Sequence, residues 1–201
     1  MEPSEVQRAY GRLATAYIDL FGMIEQLHPD DVDLVVRHLG NLEGPVLDIG
    51  CGPGHYTAHL RALGVDARGI DLVPEFVAHA RAAHPGVPYE LGSMLDLPAP
   101  TGSLSGVLAW YSTIHLDDGQ FALALGEFRR VLQTDGLLVL GFFDGIEHDA
   151  FAHKVVPAWR WPVDQLAERL SGNGFVEIER QQRDASDDVR AHAALVLRRA
   201  D

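Results

Sequence analysis

The residues Val46-Leu-Asp-Ile-Gly-Cys-Gly-Pro-Gly54 are the strongest indication of fold in this chain. Val46, Leu47 and Ile49 form a short apolar run that is typical of a buried β-strand. Residues 50–54 follow as a turn almost without side chains, and a helical pattern begins at about residue 54. Because glycine has no Cβ, a ligand can lie against this backbone, with its anionic end near the first turn of the helix. The stretch therefore predicts a nucleotide-like ligand beyond the first strand.

The spacing of the glycines separates two kinds of nucleotide-binding turn. The dinucleotide fingerprint G-x-G-x-x-G needs its third glycine for close packing of helix and strand. Gly50 and Gly52 fit that fingerprint, but His55 stands at the third position and Gly54 comes one residue early. With Asp48 before the first glycine, the string instead resembles the first motif of the class I S-adenosylmethionine-dependent methyltransferases. The resemblance implies cofactor contacts from Asp48, Gly50, Cys51 and Gly52.

Strand-type and helix-type patterns alternate along the chain, which predicts an α/β fold with a doubly wound, mostly parallel sheet. Predicted strands cover residues 46–49, 66–70, 87–91, 106–110, 136–143, 174–180 and 192–198. Predicted helices cover about 55–63, the residues after Pro74, 117–133 and 163–172. The family resemblance implies a Rossmann-like sheet of seven strands in the order 3-2-1-4-5-7-6, with the last strand antiparallel. Ligands bind beyond the carboxyl ends of such strands.

Length and composition indicate one domain over residues 1–201, long enough for a sizeable core. The formal net charge of −13 disfavours a nucleic-acid backbone or an anionic membrane as the main partner. The first residues lack the pattern of a secretory signal, and no apolar run of membrane length follows. Cys51 is the only cysteine, and no histidine set has convincing metal spacing. We expect a cytoplasmic protein without a metal.

Asp71 ends the second predicted strand, 21 residues after Gly50. An acid at this place can accept hydrogen bonds from both ribose hydroxyls of an adenosine. The resemblance implies this role for Asp71, with Leu72 beside it in the cofactor site. Capping of the following helix is the alternative role for the carboxylate.

The segment Gly92-Ser-Met-Leu-Asp-Leu-Pro98 resembles the adenine-binding segment of the same family. The first acid of the family pattern hydrogen-bonds the adenine amino group, and Ser93 stands at its position here. A hydroxyl can accept the same bond, although without charge assistance. The resemblance implies that the backbone amide of Met94 donates to the adenine ring and that its thioether packs around this ring. Asp96 is interpreted as structural.

The segment Ala109-Trp-Tyr-Ser-Thr-Ile-His-Leu116 resembles the family's segment after the fourth strand. Trp110 is expected to flank the methionyl part of the cofactor, where an aromatic face suits a sulfonium; core packing is the alternative. Tyr111 is expected beside it, against the substrate. His115 is the candidate general base, because an unperturbed imidazole titrates near neutrality. A histidine without catalytic duty is the alternative.

Residues 1–40 are predicted to form a helical cap. Apolar residues recur at mostly helical spacing, and the sequence His28-Pro-Asp30 breaks the pattern. Asp30 is the expected cap of the second helix, which ends at Gly40. Similar tyrosines close over the cofactor in the related enzymes, which implies this role for Tyr10 and Tyr17. Core packing is the alternative for both.

Residues 144–161 depart most from regular patterning and are predicted to form a substrate lid. His153 and Arg160 lie in this segment as candidate substrate-binding residues. A guanidinium binds a carboxylate or phosphate through a two-pronged fork, so an anionic acceptor is expected. A solvated surface loop is the alternative.

These features predict S-adenosylmethionine-dependent methyl transfer to a small-molecule acceptor, with S-adenosylhomocysteine as product. The chain lacks the Asp/Asn-Pro-Pro-aromatic quartet that marks enzymes methylating the amines of nucleic acid bases. Two alternatives stay open, an NAD-dependent Rossmann oxidoreductase and a non-catalytic S-adenosylmethionine-binding protein. The oligomeric state is open between a monomer and a homodimer.

Overall fold

The structure, a computed structural model, describes residues 3–186 and 189–201. Within these residues the chain forms one sheet of nine strands. They are β1 (Val46–Ile49), β2 (Ala67–Asp71), β3 (Tyr89–Leu91), β4 (Leu104–Trp110), β5 (Leu132–Asp144), β6 (Asp149–Phe151), β7 (Ala158–Trp161), β8 (Phe175–Arg183) and β9 (His192–Arg199). The helices are α1 (Pro3–Phe21), α2 (Pro29–Leu39), α3 (His55–Ala62), α4 (Pro74–Ala83), α5 (Asp118–Val131) and α6 (Val163–Ser171), with one 3-10 turn at Ile24–Gln26.

The body of the sheet runs β3-β2-β1-β4-β5-β9-β8. Of these seven strands, β9 alone runs opposite to the other six. This order confirms the predicted 3-2-1-4-5-7-6 arrangement, since β8 and β9 are the sixth and seventh strands of that scheme. Strands β6 and β7 are additional to the seven strands of that scheme. β7 pairs with Phe143 and Asp144 of β5, beyond the point where β4 stops pairing at Trp110 and Gly141.

The N-terminal region forms two helices, with the predicted break between them. Pro29 begins α2, where its fixed φ suits the first helical turn. The N-cap is His28, whose Nδ1 accepts a hydrogen bond from the amide of Asp30. The prediction of Asp30 as the cap is therefore wrong, because this residue lies inside the first turn, where its charge suits the helix dipole. Gly40 is the C-cap, as expected.

Residues 144–161 contain more regular structure than the sequence pattern indicated. β6 and β7 pair antiparallel, from Asp149 with Arg160 to Phe151 with Ala158. The amide of Trp159 also donates to a backbone carbonyl after β4, over 2.7 Å. The prediction of an irregular stretch is wrong. Strands of three and four residues are too short to show a recognisable alternation of apolar and polar residues in the sequence.

Helices cover both faces of the sheet and bury two cores. Phe128 of α5 lies in one core and Leu34 of α2 in the other, and both are fully buried. Successive residues of β5 enter opposite cores, Leu138 the first and Val139 the second. This matches the expectation for a strand buried on both faces. Each such side chain contributes about 1.5–3 kcal/mol through its burial.

Helix α1 lies outside the sheet and packs on α4. Ala14 of α1 is buried together with Val73 and Phe76, and the rings of Tyr10 and Tyr17 pack against this cluster. No helix within the described ranges has both the length and the apolar character that a membrane span requires. The packing of α1 places its two tyrosines at the carboxyl ends of the parallel strands.

Candidate active site

A cleft of about 890 Å³, partly open to solvent, lies beyond the carboxyl ends of β1, β2, β3 and β4. Doubly wound sheets bind ligands at this edge. The predicted site residues that line it are Tyr10, Tyr17, Gly50, Gly52, Asp71, Leu72, Ser93, Met94, Trp110, Tyr111 and His115. The lining formed by the described residues does not include Asp48, Cys51, His153 and Arg160.

The turn after β1 keeps side chains out of the cleft. Gly50 and Gly52 have φ angles of 70° and 52°, in the left-handed region that favours glycine. A Cβ on Gly50 would lie 2.4 Å from the Cβ of Ser112. A Cβ on Gly52 would have the Cε1 atom of Tyr17 as its nearest neighbour, at 4.0 Å. The space beside Gly52 is therefore open to a ligand that approaches the backbone.

Asp71 is buried at the end of β2 and holds two backbone segments. Its Oδ2 accepts a hydrogen bond from the amide of Gly52 and its Oδ1 one from the amide of Val73, each over 2.8 Å. A carboxylate has about four lone-pair sites, so both oxygens can accept further bonds. Burial raises the pKa of Asp71 to about 6, although the amides of Val73 and Gly52 lower it. The carboxylate can thus support the turn and face a ribose together.

Asp48 and Cys51 lie behind the turn, outside the cleft. Asp48 accepts a hydrogen bond of 2.7 Å from the hydroxyl of Thr57, which ties β1 to α3. Burial raises the pKa of Asp48 to about 7, with a lowering effect of Thr57 and a further raising effect of Asp71. The Cys51 side chain is buried, and its amide donates to the carbonyl of Ile70 over 3.0 Å. The structure thus gives both residues a supporting position in place of the predicted cofactor contact.

The segment predicted to bind the adenine lies at the cleft. Ser93 and Met94 line the cleft beside Leu72. The Ser93 hydroxyl accepts a hydrogen bond of 3.2 Å from the amide of Leu95, which leaves one lone pair and the donor of that hydroxyl for a ligand. Asp96 lies outside the lining and forms an isolated backbone bridge with Ser93. This position agrees with the structural role interpreted for Asp96.

His115, which also lines the cleft, forms hydrogen bonds through both ring nitrogens. Its Nδ1 lies 2.9 Å from the carbonyl oxygen of Pro157, and its Nε2 lies 2.8 Å from the hydroxyl of Tyr10. A carbonyl only accepts, so Nδ1 carries the proton and Nε2 accepts from Tyr10 in the neutral imidazole. Burial lowers the pKa of His115, opposed by the hydrogen bond to Pro157. The ring is therefore a neutral acceptor at the cleft.

Trp110 ends β4 and Tyr111 follows it, and both residues line the cleft. The indole of Trp110 packs on Gly141 of β5, where a Cβ would lie 2.9 Å from the ring. Tyr111 has a φ of 52°, in the left-handed region, which costs a residue with a side chain about 1–3 kcal/mol. Its hydroxyl is hydrogen-bonded to Nδ1 of His192 on β9. Tyr111 thus connects the cleft to the last strand.

His153 and Arg160 lie outside the lining of the cleft. The ring centroid of His153 is 5.4 Å from that of His115, so it packs behind the candidate base. Arg160 binds Asp149 through two hydrogen bonds of 2.6 and 2.9 Å. Its guanidinium fork is therefore occupied by a carboxylate of its own hairpin. The sequence did not reveal this pair, because it depends on the register of β6 and β7.

Sequence reasoning missed Ser112 as a site residue. Its hydroxyl oxygen is buried and has no hydrogen-bond partner among the described residues, and the residue lines the cleft. Leaving a buried hydroxyl unsatisfied costs free energy, so a ligand group that completes the bond is favoured. Its place directly after Tyr111 was the available signal. The open space at Gly52, the Asp71 carboxylate and this hydroxyl together fit an adenosine cofactor with a polar tail.

These elements define a class of protein. An open α/β sheet with a glycine turn after its first strand and an acid at the end of its second binds an adenosine-containing cofactor. Residues 46–136 match the family described as a methyltransferase domain. This match makes the chain similar to the class I S-adenosylmethionine-dependent methyltransferases, whose cofactor is S-adenosylmethionine.

Two curated relatives illustrate the similarity. The chain is 30% identical over 159 residues to malonyl-[acyl-carrier protein] O-methyltransferase of Erwinia billingiae, an alignment that covers 79% of this chain and 59% of the relative. It is 33% identical over 157 residues to ubiquinone biosynthesis O-methyltransferase of Xanthomonas oryzae pv. oryzae, covering 74% of this chain and 64% of the relative. The chain thus spans less than two thirds of the length of either relative.

Solved structures share the fold at lower sequence identity. The 1,6-didemethyltoxoflavin-N1-methyltransferase of Burkholderia thailandensis, with bound 1,6-didemethyltoxoflavin and S-adenosylhomocysteine, has a TM-score of 0.80 at 20% identity, covering 99% of this chain and 87% of the other. The [4+2]-cyclase SpnF has a TM-score of 0.79 at 17% identity, covering 100% and 97%. Because this fold hosts a cyclase as well as methyltransferases, the reaction has to be argued from the site.

Proposed function

We propose that this chain transfers the methyl group of S-adenosylmethionine to a small-molecule acceptor. The observation that carries the proposal is the placement of Asp71, Gly52 and His115 in the lining of one cleft. The cofactor supplies an electrophilic methyl group on a sulfonium sulfur. The residues of the chain supply binding, orientation and a place for the acceptor proton.

The cofactor half of the site is assigned to the wall formed by β1, β2 and β3. Asp71 accepts hydrogen bonds from the ribose hydroxyls, and the bare backbone at Gly50 and Gly52 allows close approach. Further contacts come from Leu72, Ser93 and Met94 at the adenine and from Tyr17 and Trp110 along the rest of the cofactor. An aromatic face such as that of Trp110 attracts a cation, which suits a sulfonium.

The acceptor half is assigned to Tyr111 and His115, with His115 as the base. The two relatives above are named for O-methylation and the structural neighbour for N-methylation. Oxygen and nitrogen acceptors are therefore both within the proposed function. In either case a proton leaves the acceptor atom, and a neutral imidazole at the cleft can take it.

The anionic acceptor expected from Arg160 has no basis in the geometry. Arg160 binds Asp149, and the described lining of the cleft contains no lysine or arginine. Residues 144–161 still border the acceptor half, since Pro157 and His153 both contact His115. We propose this segment as the wall and lid of the acceptor half. Hydrogen exchange that slows there when product cofactor and acceptor bind together would support a lid.

Calorimetric titration tests the cofactor and separates the two alternatives. S-adenosylhomocysteine is expected to bind, while NAD and NADP give no heat. Binding of NAD without a response to S-adenosylhomocysteine would reject the proposal in favour of an oxidoreductase. A protein that binds S-adenosylhomocysteine but transfers no label from methyl-labelled S-adenosylmethionine to a broad acceptor panel would be the non-catalytic binder. Light scattering on the same sample measures whether the chain forms the proposed homodimer.

A further inference from the structure

The acceptor half of the cleft has an uncharged, largely apolar and aromatic wall. We assign to this half six uncharged residues of the cleft lining, which are Val6, Tyr10, Tyr111, His115, Leu116 and Gln120. Asp71, the one carboxylate among the described lining residues, is assigned to the cofactor half. A charged acceptor would leave water for a wall without a counter-ion, which costs free energy. An uncharged ring would instead pack edge or face against the aromatic side chains. The composition of this wall therefore selects against charge and in favour of an aromatic ligand.

A chain of hydrogen bonds crosses this wall from the cleft inward. The Tyr10 hydroxyl donates to Nε2 of His115, and Nδ1 of His115 donates to the carbonyl of Pro157. The Tyr10 ring is fixed by edge contacts with Tyr17 and Phe76, at centroid distances of 5.7 and 6.0 Å. The position of the hydroxyl is thus set by packing on α1 and α4, and it lies in the cleft lining beside the base.

We propose that the acceptor is an uncharged aromatic or heteroaromatic molecule with an O–H or N–H group, and that its proton leaves through Tyr10 to His115. This inference rests on the proposed function, because it names the acceptor of the same methyl transfer. It also gives Tyr10 a catalytic role in place of the cofactor closure that the sequence suggested.

The proton and charge balance of the step is complete within the site. The acceptor atom forms a bond to the methyl carbon while the carbon–sulfur bond breaks, and that electron pair stays on sulfur. The acceptor proton passes to the Tyr10 oxygen as the Tyr10 proton passes to Nε2 of His115. Tyr10 ends unchanged and His115 ends as an imidazolium. One positive charge is lost from sulfur and one is gained on the ring, so the net charge of the site stays constant.

Burial favours the neutral form of the His115 ring before the step, and the groups that face this ring are also uncharged. Tyr10 faces it from α1 and His153 from the segment between β6 and β7, at centroid distances of 5.5 and 5.4 Å. Burial lowers the pKa of His115. Burial also lowers the pKa of His153 to about 4, with further lowering by His115, Arg190 and Lys154. Neither imidazole therefore carries a charge at neutral pH, and His115 keeps a lone pair for the proton.

Binding of matched bicyclic alcohols tests the class of acceptor without turnover. Protein saturated with S-adenosylhomocysteine is titrated with 2-naphthol, with 6-hydroxy-2-naphthoate, which adds a carboxylate, and with decahydro-2-naphthol, which removes aromaticity. We expect 2-naphthol to bind at least about tenfold more tightly than either, a difference of about 1.4 kcal/mol. Equal or tighter binding of the carboxylate overturns the uncharged acceptor. Equal binding of the saturated alcohol, or no binding of 2-naphthol, overturns the aromatic one.

Two variants test the proton route with acceptors of different acidity. Tyr10→Phe removes the hydroxyl and keeps the ring, whereas His115→Gln keeps a hydrogen-bond acceptor that cannot take the proton. A general base contributes about 10²–10⁴-fold, so both variants should lose about that factor in methylation of 2-naphthol. The loss should be at least about tenfold smaller for 7-hydroxycoumarin, whose hydroxyl ionises more readily and needs the base less.

The outcomes separate this inference from the proposed function. A merely structural role for Tyr10 or His115 would lower both methylation rates by the same factor, which would overturn the proton route. The affinity of both variants for S-adenosylhomocysteine should stay within about twofold of the wild-type value, under about 0.5 kcal/mol. Failure of the wild-type protein to bind S-adenosylhomocysteine rejects the proposed function itself. Normal binding with no methylation of either hydroxyarene rejects only the acceptor class.

Discussion

The amide of Gly52 donates a hydrogen bond of 2.8 Å to Oδ2 of Asp71, so the residue proposed to hold the ribose also holds the turn beside which the cofactor lies. The end of β2 and the turn after β1 are therefore one unit. A change at Asp71 acts on the ligand directly and on the shape of the turn through Gly52. Substitutions at the two positions separate these effects.

Asp71→Ala should weaken S-adenosylhomocysteine binding by about one to two decades. Loss of a hydrogen bond to a charged group costs about 1.5–3 kcal/mol, and each decade corresponds to about 1.4 kcal/mol. Asp71→Asn keeps one acceptor oxygen and should lose less. Asp96→Asn, a carboxylate change outside the lining of the cleft, is the control for titration calorimetry. Wild-type affinity in Asp71→Ala, with an intact circular dichroism spectrum, would show that the ribose acid is misassigned.

Gly52→Ala and Gly64→Ala form a matched pair. Both glycines have a left-handed φ, of 52° and 93°, and at neither would an added methyl group have a heavy atom closer than 4.0 Å. Both variants should therefore lose similar stability, about 1–3 kcal/mol from backbone strain, measured by urea unfolding. Only Gly52→Ala should also lose affinity for S-adenosylhomocysteine, because its methyl group enters the cleft. Equal affinities in the two variants would place the cofactor elsewhere.

The affinity for S-adenosylhomocysteine should fall at acid pH. The ribose hydroxyls donate to the carboxylate form of Asp71, whose pKa burial raises to about 6 in the free protein. Affinity should thus be constant above about pH 6 and decrease by up to about one decade per pH unit below it. Titration calorimetry from pH 8 to pH 5 measures the profile. Asp71→Asn should flatten it, and an unchanged profile in that variant would assign the dependence to another group.

The contribution of Asp48 to the free energy of unfolding should decrease as the pH rises towards 7. Burial raises its pKa to about 7 in the folded protein, whereas the unfolded chain has a value of about 3.9. The unfolded state therefore releases this proton first, and the contribution of Asp48 declines between these two pH values by about 1.4 kcal/mol per pKa unit. Buried histidines such as His153, whose pKa is lowered, contribute with the opposite sign, so the measured quantity is the difference between two proteins. Asp48→Asn still accepts from Thr57 and lacks the decline, so the wild-type stability minus that of Asp48→Asn should fall between pH 6 and 7. Asp33→Asn, on the exposed side of α2, should retain the decline.

Arg160→Ala should have little effect on binding. Arg160 and Asp149 are both about two-fifths exposed, at 44% and 41%, and exposed ion pairs contribute about 0–1 kcal/mol. The variant should keep the wild-type affinities for S-adenosylhomocysteine and for 2-naphthol in calorimetry. If Arg160→Ala lost affinity for 2-naphthol alone, while Asp149→Ala kept it, Arg160 would be a substrate-binding residue, as the sequence predicted.

The sequence predicted which residues after β1, β2 and β3 lie together in the cleft, because these residues follow strands that can be read locally. Gly52 and Asp71 each end a strand-type pattern, and the order of those strands follows from alternation with helices. The acceptor half depends on contacts between distant residues. Tyr10 meets His115 across 105 positions, and no local pattern specifies which tyrosine of α1 reaches the base. Arg160 was misplaced for the same reason, since its partner follows from the register of a short hairpin.

The connection of Tyr111 to His192 has a consequence for the order in which the protein acquires its properties. The turn at Gly52 and its partner Asp71 can close as soon as β1 and β2 pair, which needs only a short loop. Tyr111 is fixed only when β9 has joined the sheet, and contacts over long separations form late. During synthesis from the amino end, the contact proposed to bind the nucleoside therefore forms before the contact that positions Tyr111 in the proposed acceptor half. Discrimination between acceptors is the last property that folding completes.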